Sequence, residues 1–244
     1  MLNEPTNKSV VVTGAAGGMG QSICKHLMGL GWQVIGIDHN QERMESLAGG
    51  QANFYPLIME LTDTSLSQQV LNRLMSMSPL KGLVNLAAIS YGDSIEYLED
   101  EAWEHSFAVN VTPAMRLVRA LTPLFRKNGG GSVVNVSSPV ALVGARKASY
   151  SASKSALHGL TLSCARHLGE ANIRVNLLLP GPTLTYMTND WSKERQQAIA
   201  EACFLKRLCQ PNEIARVIAF LLSEDSSYMT GSTVDMTAGS MFGH

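Results

Sequence analysis

Apolar positions along this chain fall into two kinds of pattern. Short runs of β-branched residues alternate with longer stretches in which Leu, Ile and Val return every three or four positions, and the two periods predict strands and helices in turn. Val10-Val-Val12 forms the first run and ends in the turn Gly14-Ala-Ala-Gly-Gly-Met-Gly20; Ile23, Leu27 and Leu30 follow at helical spacing before Gly31. The pattern then predicts a strand over 33–38, a helix over 42–47 and a strand over 53–58. Leu66, Val70, Leu71 and Leu74 mark another helix, and residues 82–87 a fourth strand. After a loop over 88–100 comes a helical stretch of about 103–127 with Pro113 early in it, stopped by Gly129-Gly-Gly131. A fifth strand over 132–138 precedes a helix from Tyr150 to about Gly169. A sixth strand over 173–179 is broken by Pro180-Gly-Pro182. Residues 185–208 read as polar and irregular, 212–223 as a helix and 233–236 as a last strand.

Strands alternating with helices imply parallel strands joined by right-handed crossovers, with helices on both faces. The fold class is therefore α/β: a single doubly wound, Rossmann-like domain spanning 1–244, with a central parallel sheet of about seven strands. Residues 1–7 read as a loose leader and 185–208 as a mobile lid over a substrate.

Composition narrows the function classes. Hydrophobic residues are 45% and charged residues 16%, enough for a large core and too little charge for disorder. The net charge of −1, with acids and bases mixed, argues against a nucleic-acid partner. No run approaches the ~18 apolar residues of a membrane span, and the N-terminus lacks the charged and apolar regions of a secretory signal. The 4 cysteines include no C-x-x-C pair and the 6 histidines are dispersed, so neither a disulfide framework nor a metal site is expected. A cytoplasmic protein fits these bounds.

Three features carry chemistry. Gly14-x-x-x-Gly18-x-Gly20 lies at the first strand-to-helix junction, where glycine lets the backbone approach a ligand and a helix N-terminus offers free N–H groups to a pyrophosphate. A tight turn needs glycine for its own sake as well. Asp38 closes the second strand, where an acid accepts bonds from adenosine ribose hydroxyls and repels a 2′-phosphate. His39 follows it in place of an arginine, and no Arg or Lys lies between Thr13 and Gln21, so the residues favour NAD over NADP. Tyr150 and Lys154 stand four apart on a predicted helix and share a face, with Cβ atoms about 5–6 Å apart. A free phenol titrates near about 10, and a neighbouring ammonium lowers that value, so the pair can accept and donate a proton. Tyr and Lys at this spacing are also common on helices without any chemistry.

With these residues in order, the chain resembles the short-chain dehydrogenase/reductase family over nearly its whole length. The marks are Thr13-Gly-x-x-x-Gly-x-Gly20, Asp38, Asn85-Leu-Ala-Ala88, Asn110, Ser138, Tyr150-x-x-x-Lys154, Pro180-Gly181 and Thr230-Gly231. The resemblance implies that Tyr150 is the general acid/base, that Lys154 holds the nicotinamide ribose and depresses the Tyr150 pKa, that Ser138 hydrogen-bonds the substrate oxygen, and that Asn110 holds a water in a proton relay. It implies a cofactor bed from Gly14, Gly17, Gly18, Met19, Gly20, Asp38, Glu60, Leu61, Asn85 and Ala87. Lys154, Pro180, Gly181, Thr183 and Thr185 complete that bed. Family members of this kind are usually homotetramers.

The chain departs from the family pattern in three places. The usual Asn-Asn-Ala-Gly run is Asn85-Leu-Ala-Ala88, and the acid expected near the adenine is Glu60 in place of Asp. Ser138 precedes Tyr150 by 12 positions, one fewer than the resemblance leads one to expect, so Ser137 rivals it as the catalytic serine. Ser138 is preferred because it ends the strand in the family's phase.

The implied activity is NAD-dependent hydride transfer between a secondary alcohol and a ketone, in the direction of oxidation. The substrate pocket is expected from 90–93, 139–147 and the lid, with Tyr91, Ser138, Val140, Arg146 and Lys147 as candidate contacts. Those stretches are polar, so a sugar, polyol or hydroxy acid is expected; Arg146 and Lys147 suggest an anion, with solvated loop charges the alternative. The alternatives at the level of function are a 3-oxoacyl-thioester reductase using NADPH and a non-catalytic, NAD-sensing binding protein on the same fold.

Overall fold

In the first strand, β1 (Ser9–Thr13), consecutive valines face opposite sides of a sheet buried on both. Val10 and Val12 join one hydrophobic cluster, and Val11 joins another. That double burial is why the run is uniformly apolar, as parallel strands covered by helices on both faces are. The computed structural model describes residues 7–189 and 191–241. The expected leader, apart from residue 7, and the last three residues of the tail lie outside them.

Among the described residues, β1 belongs to a 7-stranded sheet ordered β3-β2-β1-β4-β5-β6-β7, every neighbouring pair parallel. The other strands are β2 (Gln33–Asp38), β3 (Phe54–Ile58), β4 (Leu80–Asn85), β5 (Gly131–Val136), β6 (Ile173–Pro180) and β7 (Thr233–Met236). One face is covered by α1 (Gly18–Gly29), α2 (Gln41–Ala48) and α10 (Pro211–Leu222), through Ile23, Leu27, Met44, Ile214 and Ile218. The other is covered by α3 (Leu66–Leu74), α5 (Thr112–Lys127) and α7 (Ala148–Leu168), through Val70, Leu121, Phe125 and Ala165. The strand order reverses between β1 and β4. In an open parallel sheet, that switch point leaves a crevice beyond the carboxyl ends of the strands. Among the described residues, no helix is long and apolar enough to cross a membrane.

Elements differ from the expected ones where the physics is local. The helical stretch after residue 100 is two helices, α4 (Asp100–Asn110) and α5, parted at Val111 with φ −122° and ψ −52°. Pro113 has no N–H to return to the carbonyl four residues back, so the chain restarts with proline in the first turn of α5. β4 and β5 stop earlier than expected, at Asn85 and Val136. Beyond β4, the N–H groups of Leu86 and Ala87 donate to the Thr13 hydroxyl at 3.1 and 3.2 Å, which turns the chain across the end of β1. The segment expected to be irregular holds α8 (Tyr186–Asn189) and α9 (Lys193–Ala202). Ser192 caps α9 by accepting from Arg195 N–H, and the Arg195 guanidinium lies 4.7 Å from the Trp191 ring. A short helix α6 (Val140–Val143) occupies the loop before Tyr150. The tail packs back through Met241, against the cluster containing Leu157 and Leu177.

Candidate active site

The crevice at the switch point is a cavity of about 540 Å³, within the range of small-molecule sites. Its floor is the β1–α1 turn. Gly14 has φ +71°, and a Cβ there would lie 2.9 Å from the Ala87 Cα, so the fold itself requires this glycine. Gly17 precedes α1 without a side-chain cap, and the first N–H groups of a helix lack intrahelical partners. Gly17, Gly18, Met19 and Gly20 thus bring backbone donors and the positive end of the α1 dipole to the cavity.

At the far end of this floor Asp38 is tied in on both oxygens. It accepts from Ala16 N–H at 3.1 Å and from Asn40 N–H at 3.0 Å, and its side chain is 12% exposed. It is no solvated strand-end acid; it joins the glycine turn to the end of β2. His39 approaches it at 3.7 Å and Glu60 at 4.0 Å. Glu60 and Leu61 line the adjoining wall, as does Ala87.

At the opposite end the N-terminal half of α7 presents Tyr150 and Lys154 to the same cavity. Ser138 is the neighbour that lowers the Tyr150 pKa against the larger effect of burial, while the serine that lines the cavity is Ser137. Four serines on α7 fix that half-helix to its surroundings. Ser149 donates to the Tyr91 carbonyl at 2.9 Å, Ser151 and Ser155 to the α6 carbonyls of Val140 and Ala141 at 2.6 and 2.7 Å, and Ser153 accepts from the Asn110 amide at 2.9 Å. The same Asn110 side chain clamps both the N–H and the carbonyl of Ile89, at 2.8 and 3.0 Å.

Burial dominates the electrostatics at this end of the cavity. Lys154 is buried and donates to the Val136 carbonyl at 2.7 Å, and burial pulls its pKa down to about 7. Tyr150 is raised from its ordinary value, chiefly by burial, with Ser138 working the other way. Desolvation pushes both groups toward their neutral forms.

Several candidates stand elsewhere than expected. Asn85 lies within the sheet in register with Asn135, donating to it at 2.8 Å, while Asn135 donates to Thr161 at 2.9 Å. Pro180, Gly181 and Thr183 also stand behind the cavity wall: Gly181 N–H meets the Met236 carbonyl at 3.1 Å, and Thr183 donates to the Gly181 carbonyl at 2.9 Å. Thr185 does reach the cavity. Asn110 directs its side chain to Ile89 and Ser153. Tyr91, Val140, Arg146 and Lys147 are not part of the wall. Arg146 pairs with Asp93 at 3.2 Å on the surface and Lys147 donates to the Ser90 carbonyl at 2.7 Å, which joins the two loops. Besides His39, the cavity wall includes residues that the sequence did not mark: Ile89, His105, Val109, Arg43 and Tyr186. His105 and Val109 are spaced four apart on α4 just before Asn110, a signal that could have been read; Arg43 and Tyr186 had none.

Comparison with known proteins agrees with this geometry. Residues 14–240 match the family described as Enoyl-(Acyl carrier protein) reductase. An L-xylulose reductase of Caenorhabditis elegans is 33% identical over 96% of both chains. A 3-oxoacyl-(acyl-carrier-protein) reductase FabG of Thermotoga maritima is 31% identical over 95% of this chain and 97% of its own. A rat protein named dehydrogenase/reductase SDR family member 4 is 31% identical over 97% of this chain and 88% of its own. The chain belongs to the short-chain dehydrogenase/reductase family. Short-chain dehydrogenase/reductase membership accounts for the sheet order, the glycine floor and the Tyr150–Lys154 face together.

Proposed function

We propose that the chain oxidises a small polar secondary alcohol to a ketone with NAD, and that Tyr150 moves the proton. The observation that carries this reading is that one cavity is lined by Tyr150, Lys154, the glycine floor and Asp38. The residues fit a dinucleotide: free helix N–H groups sit mid-floor, a carboxylate with remaining lone pairs stands at one end, and a phenol stands at the other. Gly17, Gly18, Met19 and Gly20 would hold the pyrophosphate, and Asp38 the adenosine ribose. When bound, the nicotinamide supplies the hydride acceptor.

The protein's own part is proton transfer and positioning. Tyr150 takes the alcohol proton, and Ser138 donates its single O–H to the same substrate oxygen, favouring the charge that develops there. Lys154, at about 7, gains and loses a proton across the neutral range and donates to the Val136 carbonyl at the cavity edge. Asn110 and the α7 serines hold the phenol in place, as positioning residues. His105 and the Ser90 loop beside Ile89 and Val109 suit hydroxyls on a short carbon frame, which supports a sugar or polyol. The paired state of Arg146 removes the support for an anionic substrate.

A homotetramer in a reducing compartment such as the cytoplasm completes the reading. Free Cys24, Cys164, Cys203 and Cys209 and the exposed Phe220 of α10 support it, and light scattering tests the assembly. A second reading, reduction of 3-oxoacyl thioesters with NADPH, is favoured by Arg43 on the adenosine side of the cavity and by the name of the Thermotoga relative. The deciding experiment measures kcat/KM with NAD and NADP over sugars, polyols, hydroxy acids and 3-oxoacyl thioesters. NAD-linked oxidation of a polyol is expected; turnover confined to thioesters with NADPH would favour the second reading. Dinucleotide binding without turnover on any of them would mark a binding protein.

A further inference from the structure

The segment after β6 lies directly on the glycine floor. A Cβ at Gly18 would stand 2.9 Å from the Thr185 Cβ, so glycine at that position lets the segment close down on the first turn of α1. Its start is firmly built. Thr185 N–H donates to the Thr188 hydroxyl at 2.8 Å, and that hydroxyl donates to the Thr183 carbonyl at 3.0 Å. The next residue, Tyr186, reaches across the floor to α2, where the Arg43 guanidinium lies 4.4 Å from its ring. The backbone that carries Arg43 adjoins the adenosine end: its main-chain N–H donates to the capping Asn40 Oδ1 at 3.0 Å, and Asn40 N–H donates to Asp38 at 3.0 Å. Both Arg43 and Tyr186 line the cavity.

We propose that Tyr186 and Arg43 form a clasp over the glycine floor that retains the dinucleotide and, by keeping the guanidinium on the ring, withholds it from a 2′-phosphate. The inference rests on the reading that this cavity takes a dinucleotide. Anything leaving the floor must part the two side chains. A guanidinium is also the group best suited to pair with a phosphate, and here it stands within the same cavity as Asp38. While its face is occupied by Tyr186, the carboxylate alone addresses the ribose; released, it offsets the repulsion between Asp38 and a 2′-phosphate.

The test uses the full chain and reads dinucleotide binding, independent of turnover. NADH dissociation is followed by stopped-flow fluorescence, and NADPH affinity by titration, in Tyr186→Phe, Tyr186→Ala, Arg43→Gln and the double variant Arg43→Gln/Tyr186→Ala. An exposed cation–π contact corresponds to a change of about two- to five-fold. NADH release should speed up by that factor in Tyr186→Ala and in Arg43→Gln, no further in the double variant, and not in Tyr186→Phe. NADPH should bind more tightly in Tyr186→Ala and not in Arg43→Gln. Wild-type release rates in both single variants, or effects that simply add in the double variant, would overturn the clasp. A wild-type chain that binds neither NADH nor NADPH would instead sink the cofactor reading, before any variant is made.

Discussion

The Ser137 hydroxyl donates to the main-chain carbonyl of Lys154 at 2.8 Å, across the gap between the end of β5 and the middle of α7. This bond gives different surroundings to two adjacent serines that sequence spacing left as rivals. Ser137 is buried, lines the cavity and is committed to the backbone of the helix that carries Tyr150, whereas Ser138 lies outside that lining and lowers the Tyr150 pKa.

Their alanine variants should therefore fail in different ways. Ser138→Ala should lower kcat by roughly 10²–10³, the loss typical of one donor to a developing oxyanion, with an unchanged melting temperature. Ser137→Ala should keep most of kcat and lose about 1 kcal/mol of stability, or about 2–4 °C in a chain of this size. Steady-state rates and thermal melts of the two variants check this, and a large kcat loss in Ser137→Ala would reverse the assignment.

How far this arrangement could be read from sequence depended on whether the signal was local. The Val10-Val-Val12 run, the glycine turn and the face shared by Tyr150 and Lys154 are set within a few residues, and each stands where its pattern implied. Contacts made through the fold were not legible. Nothing in the chain near Asn85 announces that its amide meets Asn135 in the sheet, or that Thr13 takes the two N–H groups after β4. The segment after β6 was misread because α8 and α9 are short, polar and held by Thr188, Ser192 and Trp191 instead of by an apolar stripe. Arg146 and Lys147 looked free because their partners, Asp93 and Ser90, lie more than fifty residues earlier.

The pH dependence of turnover should have opposite signs in the two directions. Alcohol oxidation needs the Tyr150 phenolate, and burial raises this group above its ordinary value. Oxidation should therefore climb as the pH rises above neutral. Ketone reduction uses the protonated phenol and should fall over the same range. Tyr150→Phe should lower both by roughly 10²–10⁴, with NADH binding retained. A pH-independent oxidation rate would remove the phenol from the reaction.

Lys154 makes the fold's own stability depend on pH. Its pKa is about 7 in the folded chain against 10.5 ordinarily, so between those values the unfolded chain binds the proton more tightly. Stability therefore rises with pH through that window, and the full cost of the buried charge is carried below about pH 7. Lys154→Met removes the charge, at a cost of about 1–3 kcal/mol for the Val136 carbonyl it leaves unpaired. The variant should melt higher than wild type at pH 6, by about 2–4 °C for each net kcal/mol gained, and lose that advantage by pH 10. Thermal melts across pH check it; a variant that melts below wild type by the same margin at every pH would refute it.

Asp38 should govern both the cofactor and the glycine turn, and two variants can separate these effects. Asp38→Asn keeps the shape and one acceptor while removing the charge that opposes a 2′-phosphate. It should raise the ratio of kcat/KM with NADP to that with NAD by at least about ten-fold, the worth of roughly 1.4 kcal/mol. Asp38→Ala removes the acceptors for both Ala16 and Asn40 N–H, so it should shift the ratio similarly and also lower stability by about 1–3 kcal/mol. Dinucleotide-dependent kinetics together with melts give both readouts. A cofactor ratio unmoved in Asp38→Asn, with stability lost in Asp38→Ala, would reduce Asp38 to the tie between β2 and the turn. NAD selectivity would then have to come from another group in the cavity.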